Sequence, residues 1–410
     1  MPIITTEYLD ELNVSGLTGT EWFVRTDGND SNSGRSNTSG GAFLTIAHAL
    51  SVVSPGDTVS INDGTYHFTP IHVNSPNQNN VTLAGINGSS GVTLQVDNDA
   101  NYAANAGALF QVSGVQRFTF TGLTLSGSTG SMASSCVSLI LVNQLGFVQV
   151  INCTLTLPQF DFELLHPVAP LPTPVAVAGF CVRAGDVTPL VGPPAGTPGS
   201  AYLHNCILSY YQYSALFVDG TGSILHADGC TLKGVLSLIG ATPDVIQRGL
   251  HTTAGAQATL QSCASIDLSY NGPTYGLSPG WSSGYAPQAD SGVVLILGCS
   301  AATCDAGCRL VSQVAGAVLD RFVCTSPFHN GIWLAGSPKN WTITRSTVTG
   351  AAAVGIAADA GATGNVVRGN TASGSGTFDA QDLSTGGGTA GTANNWSENT
   401  LTTKSPAGLQ

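Results

Sequence analysis

Residues Gly331–Gly350 read GIWLAGSPKNWTITRSTVTG. A short apolar run, IWLA, leads into a Gly-Ser-Pro turn. A second run, WTIT, alternates apolar and hydroxyl side chains, and a third, TVT, follows Arg345 and Ser346. The same order precedes this unit in GCRLVSQVAGAVLDRFVCTS, from Gly307 to Ser326. It follows it in VGIAADAGATGNVVRGNTASG, from Val354 to Gly374, and weaker copies reach back to Leu109. Recurrence at a short, fixed period marks a repeat architecture, whose units bury their apolar faces only by stacking on one another. Trp341, Ile343 and Ser346 alternate with Thr342 and Thr344, which is strand periodicity. The step from Ser346 to Asn370 is about 24 residues. That is too short for helix-pair repeats, and the regular leucine spacing of leucine-rich repeats is absent. The repeat therefore predicts an all-β chain: a right-handed, single-stranded parallel β-helix (solenoid) with a short N-terminal capping helix. Roughly a dozen coils stacked at about 4.8 Å would form a rod of about 50–60 Å.

The register is followed through the residue before each third run. It is Cys153, Cys206, Cys230, Cys263, Cys299 and Cys324, then Ser346, Asn370 and Asn399. Most steps are 23 to 36 residues, and the step of 53 from Cys153 to Cys206 indicates one coil with a long insertion. A cysteine recurring at one place on successive coils is expected to point inward, since free Cys behaves as a small hydrophobe. Stacked coils also fall within the range of disulfide Cα separations, about 4.4–6.8 Å, so an occasional bridge stays open. Cys299, Cys304 and Cys308 form C-x4-C-x3-C, without a paired C-x2-C or a nearby His. No metal and no cofactor is expected.

Charged residues make up 9% of the chain, far below the usual quarter, and the net charge is −12 with only 12 Lys and Arg. Nucleic-acid binding would need a basic stripe, so that class is excluded. The apolar runs are of strand length, and no membrane insertion is expected. The N-terminus shows no basic segment followed by an apolar one, so no secretory signal peptide is visible. Ten Cys suit folding in a reducing compartment.

Residues 1–20 form an N-terminal leader, a possible anchor, and residues 21–410 the β-helix domain, with insertions at about 158–200 and 270–290. Glu21 to Arg25 reads as a strand. Thr45 to Val53 reads as a short helix capped by Thr45 and stopped at Pro55-Gly56. Asp27, Asn29, Asp30 and Ser31 are spaced faintly like a calcium loop but lack the downstream Glu, and Asx-turns account for them. The first insertion contains QFDFELL, in which Asp161 and Glu163 share one strand face. The second is rich in Gly, Pro and aromatics, with Tyr270, Tyr275, Trp281 and Tyr285. Tyr210, Tyr211 and Tyr213 lie in another variable segment. Flat amphipathic rings can stack on sugar faces; they can equally pack a loop or bury a subunit contact.

The segment WFVRTDGNDSNSGRSNTSGGAFLTIAHAL, followed by PGDTVSINDGTY, resembles the start of β-helix proteins of the pectin-lyase-like superfamily, above all those of tailed bacteriophages. The matching elements are Trp22 to Arg25, Asp27 to Asp30, Phe43 to Ala49, Pro55 to Thr58 and Asp63 to Tyr66, about fifty residues in all. The resemblance implies a virion-associated rod, commonly a homotrimer, used for attachment or as a decoration. Some members of the group cleave polysaccharides.

The acidic motifs of the catalytic members are missing: there is no N-T-D, no Asp-Asp pair, no G-H-G and no R-I-K. Asp161 and Glu163 are the best local pair, at a backbone spacing of about 6.5–7 Å. That is near the inverting-glycosidase separation, but nothing there raises the pKa of one of them. P-loop, dinucleotide and HExxH signatures are also absent. The expectation is a noncatalytic bacteriophage virion structural protein, a short tail spike or fibre or a head decoration. It would fold in the host cytoplasm, assemble as a homotrimer, contact other virion proteins through the leader and attach to a surface or host glycan. The alternative is a polysaccharide depolymerase, a hydrolase or lyase, on the same scaffold.

Overall fold

The computed structural model describes residues 19–96, 108–127, 138–157, 180–185, 197–211, 213–234, 247–268 and 282–410. Asp161, Glu163, Tyr270, Tyr275, Trp281 and most of the leader lie outside them. Strands pair in parallel with their equivalents one coil away and form three sheets. Sheet A has 13 strands, from Glu21–Val24 to Asn395–Ser397. Sheet B has 12, from Gly64–Phe68 to Thr400–Leu401, and sheet C has 12, from Ile71–Val73 to Lys404–Ser405. One coil visits them in the order C, A, B, as in Ile332–Leu334, Thr342–Thr344 and Thr347–Thr349. The chain is a parallel β-helix.

Alternation sets the core. Ile343 lies in register with Leu319 and Val367, and Val348 with Cys324 and Ala372. All six are buried, while Thr342 and Thr344 are half-exposed. The corner from sheet A to sheet B is a single residue with left-handed backbone, such as Asn152 (φ 53°), Arg345 (φ 52°) or Gly369 (φ 65°). Gly and Asn adopt that conformation most readily. The next residue then turns inward, which creates the column read from the sequence.

The column departs from the sequence reading at one coil. Val323 pairs with Ser300 and Thr347, so Phe322, and not Cys324, stands between Cys299 and Ser346. Cys324 lies one inward position further on, beside Ala301. Both positions point inward, so alternation alone does not separate them; the left-handed residue Arg321 does. Along the column, the backbone N–H of one coil donates to the side chain of the next. Cys263 N donates to Cys299 Sγ (3.4 Å), Phe322 N to Ser346 Oγ (3.2 Å), Ser346 N to Asn370 Oδ1 (2.8 Å) and Asn370 N to Asn399 Oδ1 (2.9 Å). A parallel asparagine pair stands at another corner, where Asn365 Nδ2 donates to Asn394 Oδ1 (2.8 Å). Asp382 ends that ladder by accepting from Asn394 Nδ2 and Trp396 Nε1.

Coil stacking also excludes side chains at the start of sheet C. A Cβ at Gly331 would lie 2.2 Å from Val348 Cγ1 and 2.7 Å from Gly355 O. At the other end, helix α1 (Ile46–Val52) begins on Thr45, whose side chain accepts from His48 N. Asp30 holds that start by accepting from Leu44 N and Thr45 N, each at 2.9 Å. Ile46, Ala49 and Leu50 are buried, and α1 packs on Glu21–Val24, the outermost strand of sheet A. It thereby blunts part of an open edge.

Neither expected insertion is a single excursion. Phe180–Ala184 lies within 158–200 and pairs in sheet C with Ser138–Asn143 and Ser214–Asp219. Ser283–Pro287 lies within 270–290 and occupies the same sheet. Asn370→Ala removes an acceptor for the buried Ser346 N–H, and we expect a loss of about 1–3 kcal/mol in urea unfolding; an unchanged midpoint would contradict the ladder. The nine cysteines in the described coils are buried and unbridged. Burial pushes the Cys153 thiol up to about 11 and that of Cys324 to about 12. A thiol reagent should therefore titrate at most one of the ten thiols in the native chain, and all ten only after unfolding.

Candidate functional site

The outer face of sheet C gathers basic residues in a chain that has few. Three of its 12 basic residues, Arg183, Arg248 and Arg309, stand there. Register places Arg183 beside Phe217, Phe217 beside His251, and His251 beside Ala286. Tyr285 pairs with Cys308, so Ala286 is followed by Arg309, which pairs with Trp333. One column thus reads Arg183, Phe217, His251, Ala286, Arg309, Trp333 over six successive coils.

Arg248 joins this column through a break in alternation at Gly249. Leu250 is in the core, yet the Arg248 guanidinium meets the outward His251 ring, with Nη1 3.3 Å from Nδ1. Gly249 leaves no room for a side chain, because its Cβ would lie 2.4 Å from Gly284 O. Aromatic rings pack among the guanidinium groups. Arg248 lies over Tyr213 (4.9 Å to the centroid) and Arg309 over Trp333 (5.5 Å). Phe217 and Phe180 are 4.7 Å apart, and Phe217 meets His251 edge-on at 5.0 Å.

The face is dry as well as basic. Arg183 is 6% exposed, Arg248 5% and His251 7%, whereas Arg309 and Trp333 are half-exposed. Burial, reinforced by Arg248 and Arg309, pushes the His251 imidazole well below its ordinary pKa, so it is neutral. Burial also lowers the Arg309 pKa, with Arg248 adding to the effect and Asp359 opposing it. Asp359 orients the rim by accepting from Trp333 Nε1 (2.9 Å) and Gly336 N (2.7 Å). At the edge of the sheet, Asp219 pairs in register with Thr253, whose hydroxyl donates to Asp290 (2.9 Å). Burial holds the Asp219 carboxyl above its usual range, and Asp290 adds to this against Arg183.

Tyr285, expected as a surface ring, is instead in the core at 0% exposure. Its hydroxyl donates to Cys263 O and Ser300 O, and its ring packs edge-on against Phe322. It is the inward neighbour of Ala286, so strand alternation places it away from any ligand. Tyr211 is likewise buried, whereas Tyr213 belongs to the arginine face. Asp228, on sheet A, pairs with His204 (3.1 Å) beside a stacked Tyr202–His226 pair. Asp320 is held by Arg345 (2.7 Å) and Arg321 (3.1 Å), a surface ion cluster. Among the described residues, no group of three or more His, Cys, Asp or Glu is arranged to hold a metal ion. Sequence reasoning passed over the arginine face, although FCVRA, RGLHTT and AGCRL each place an arginine in an otherwise uncharged, Lys-poor strand.

No protein-family model and no curated protein matches the sequence. Solved structures with a similar course include a rhamnogalacturonan lyase, at 13% identity and a TM-score of 0.44, covering 93% of this chain and 87% of that one. The pectate lyase Pel9A matches at 14% identity and a TM-score of 0.38, covering 95% and 79%. The Dettilon tailspike protein matches at 13% identity and a TM-score of 0.47; the match covers 86% of this chain and 62% of the tailspike. These likenesses concern the course of the backbone, which the strand pairing here establishes by itself.

His251 is held neutral in the folded chain but takes up a proton in the unfolded chain below about pH 6.5. Its contribution to stability is complete above that pH and falls as pH drops through it, by about 1.4 kcal/mol per pH unit. We expect the unfolding temperature to decline from about pH 7 to pH 5. His251→Gln should flatten part of that decline, since His72, His226 and His329 are also lowered by burial. An unchanged pH profile in this variant would contradict a neutral, buried His251.

Proposed function

We propose that this chain is a noncatalytic attachment rod that holds a surface polysaccharide along the outer face of sheet C. The observation that carries this reading is the column in which Arg183, His251 with Arg248, and Arg309 alternate with Phe217, Ala286 and Trp333 on a rigid sheet. Aromatic faces stack on pyranose rings, and guanidinium groups supply directed donors at positions fixed by the coil spacing. A rigid scaffold also lowers the ordering cost of binding.

The particle in which the rod acts is that of a tailed bacteriophage, as a short tail spike or fibre or as a head decoration. The support is the start motif from Trp22 to Tyr66 and the reduced, buried cysteines, which suit folding in a host cytoplasm. The rod assembles as a homotrimer, and residues 1–20 meet other virion proteins. Location in a purified virion tests this part; recovery only as a soluble secreted monomer overturns it.

Cleavage of the polysaccharide is the second reading. Asp219 favours it, as a carboxyl that burial and the charge of Asp290 hold above its usual range, with Asp290 itself accepting from the Thr253 hydroxyl. Glycoside hydrolysis uses two carboxyl groups whose environments differ.

Affinity electrophoresis against a panel of acidic and neutral bacterial surface polysaccharides separates the two. We expect retention without product, and weakening of about tenfold, or about 1.4 kcal/mol, for Trp333→Ala. Release of reducing ends or of unsaturated uronate, lost in Asp219→Asn, would overturn the noncatalytic reading.

A further inference from the structure

Arg248 is a buried cation that its surroundings do not neutralise. It is 5% exposed, yet its Nε has no hydrogen-bond partner. Its Nη1 lies 3.3 Å from His251 Nδ1, and its guanidinium lies over the Tyr213 ring. A guanidinium has only donors, so this contact makes His251 Nδ1 the acceptor and leaves the ring proton on Nε2. The neutral ring thus takes a hydrogen bond without supplying negative charge. Among the described residues, no carboxylate lies within ion-pair distance of Arg248. One coil on, Ser283 stands in register with Arg248. It is fully buried, and its hydroxyl also has no partner.

Two unpartnered polar groups therefore stand on adjacent coils behind one dry surface. A buried donor left unmade is costly, and a buried charge left uncompensated is costlier still. Water can satisfy the hydrogen bonds but not the charge. The field is positive over a wider area, since Arg248 lowers the pKa of Arg309 and both arginines act on His251. The covering sets the size of what can compensate it. Phe217, Arg248, His251 and Ala286 are each no more than 7% exposed. A polymer or a bulky oxyanion finds no surface there. A single-atom anion needs only the room of one water and imposes no geometry on its donors.

We propose that Arg248 is a structural halide site, chloride in a cell. The ion accepts from Arg248 Nε and from the Ser283 hydroxyl and supplies the missing counter-charge beneath the outer surface of sheet C. The site is independent of the polysaccharide reading, because Arg309 and Trp333 on the half-exposed rim remain available to a larger ligand.

Thermal unfolding of the whole chain in sodium chloride, bromide, sulfate or gluconate, at one ionic strength, tests it. Chloride and bromide should raise the unfolding temperature above that in gluconate, and the rise should saturate, as it does for a ligand that binds only the folded chain. General salt effects act on every variant alike, so the reading is the difference between wild type and variant in the same salts. The halide rise should vanish in Arg248→Leu. In Ser283→Ala it should need a several-fold higher chloride concentration. No rise over gluconate in the wild type, or a rise that Arg248→Leu retains, overturns the site. An unchanged chloride dependence in Ser283→Ala overturns the two-donor geometry. A larger Arg248-dependent rise in sulfate overturns the halide in favour of an oxyanion. Should Arg248→Leu fail to fold, crystals of the unaltered chain grown in bromide decide the matter. An anomalous peak within hydrogen-bond reach of Arg248 Nε supports the site, and no peak there overturns it.

Discussion

The described coils answer to one constraint: each strand residue stands directly over its equivalent one coil away, at the distance of two hydrogen-bonded strands. Side chains in such a stack meet their own kind. Cysteine sits over cysteine from Cys153 to Cys299, and asparagine over asparagine at Asn370–Asn399 and Asn365–Asn394. A substitution in one coil is therefore felt by two others. The column changes its chemistry gradually, from thiols through Phe322 and Ser346 to amides that satisfy one another. Thiols need little hydrogen bonding when buried, while buried amides need a great deal, and the ladders provide it.

The same constraint that orders the core arranges the surface. A guanidinium group on an isolated strand is one charge, but Arg183, Arg248 and Arg309 stand on every second coil of one sheet. Burial of Arg183 and Arg248 alongside Phe217 and His251 removes the water that would otherwise screen them, while Arg309 stays half-exposed. The chain as a whole carries a net charge of −12, so this basic face is a local inversion rather than a consequence of composition. Packing guanidinium groups into a dry surface costs stability.

Much of the architecture was legible because one unit, GIWLAGSPKNWTITRSTVTG, contains all three strands and both corners. Helix α1 and its Thr45 cap were legible for local reasons: an N-cap, an apolar face and a Pro-Gly stop. The limits were equally physical. Phe322 and Cys324 both point inward, so only the left-handed residue before them fixes the register, and Arg321 does not advertise that conformation as Gly or Asn would. The strands Phe180–Ala184 and Ser283–Pro287 are short and flanked by long connections, so their membership in sheet C depends on pairing with coils far away in sequence. Tyr285 looked like a surface ring because its neighbours in sequence are polar and Pro-rich. The arginine face stayed hidden because its successive arginines are 65 and 61 residues apart and meet only through coil stacking.

The proposed ligand surface is the outer face of sheet C. Its most direct measurement is a crystal structure of the chain with a bound acidic oligosaccharide of four or more sugars. We expect sugars running along the rod axis against the half-exposed Arg309 and Trp333. An oligosaccharide bound instead across sheet A or sheet B, or an empty sheet C with a ligand at the rod's end, would contradict it.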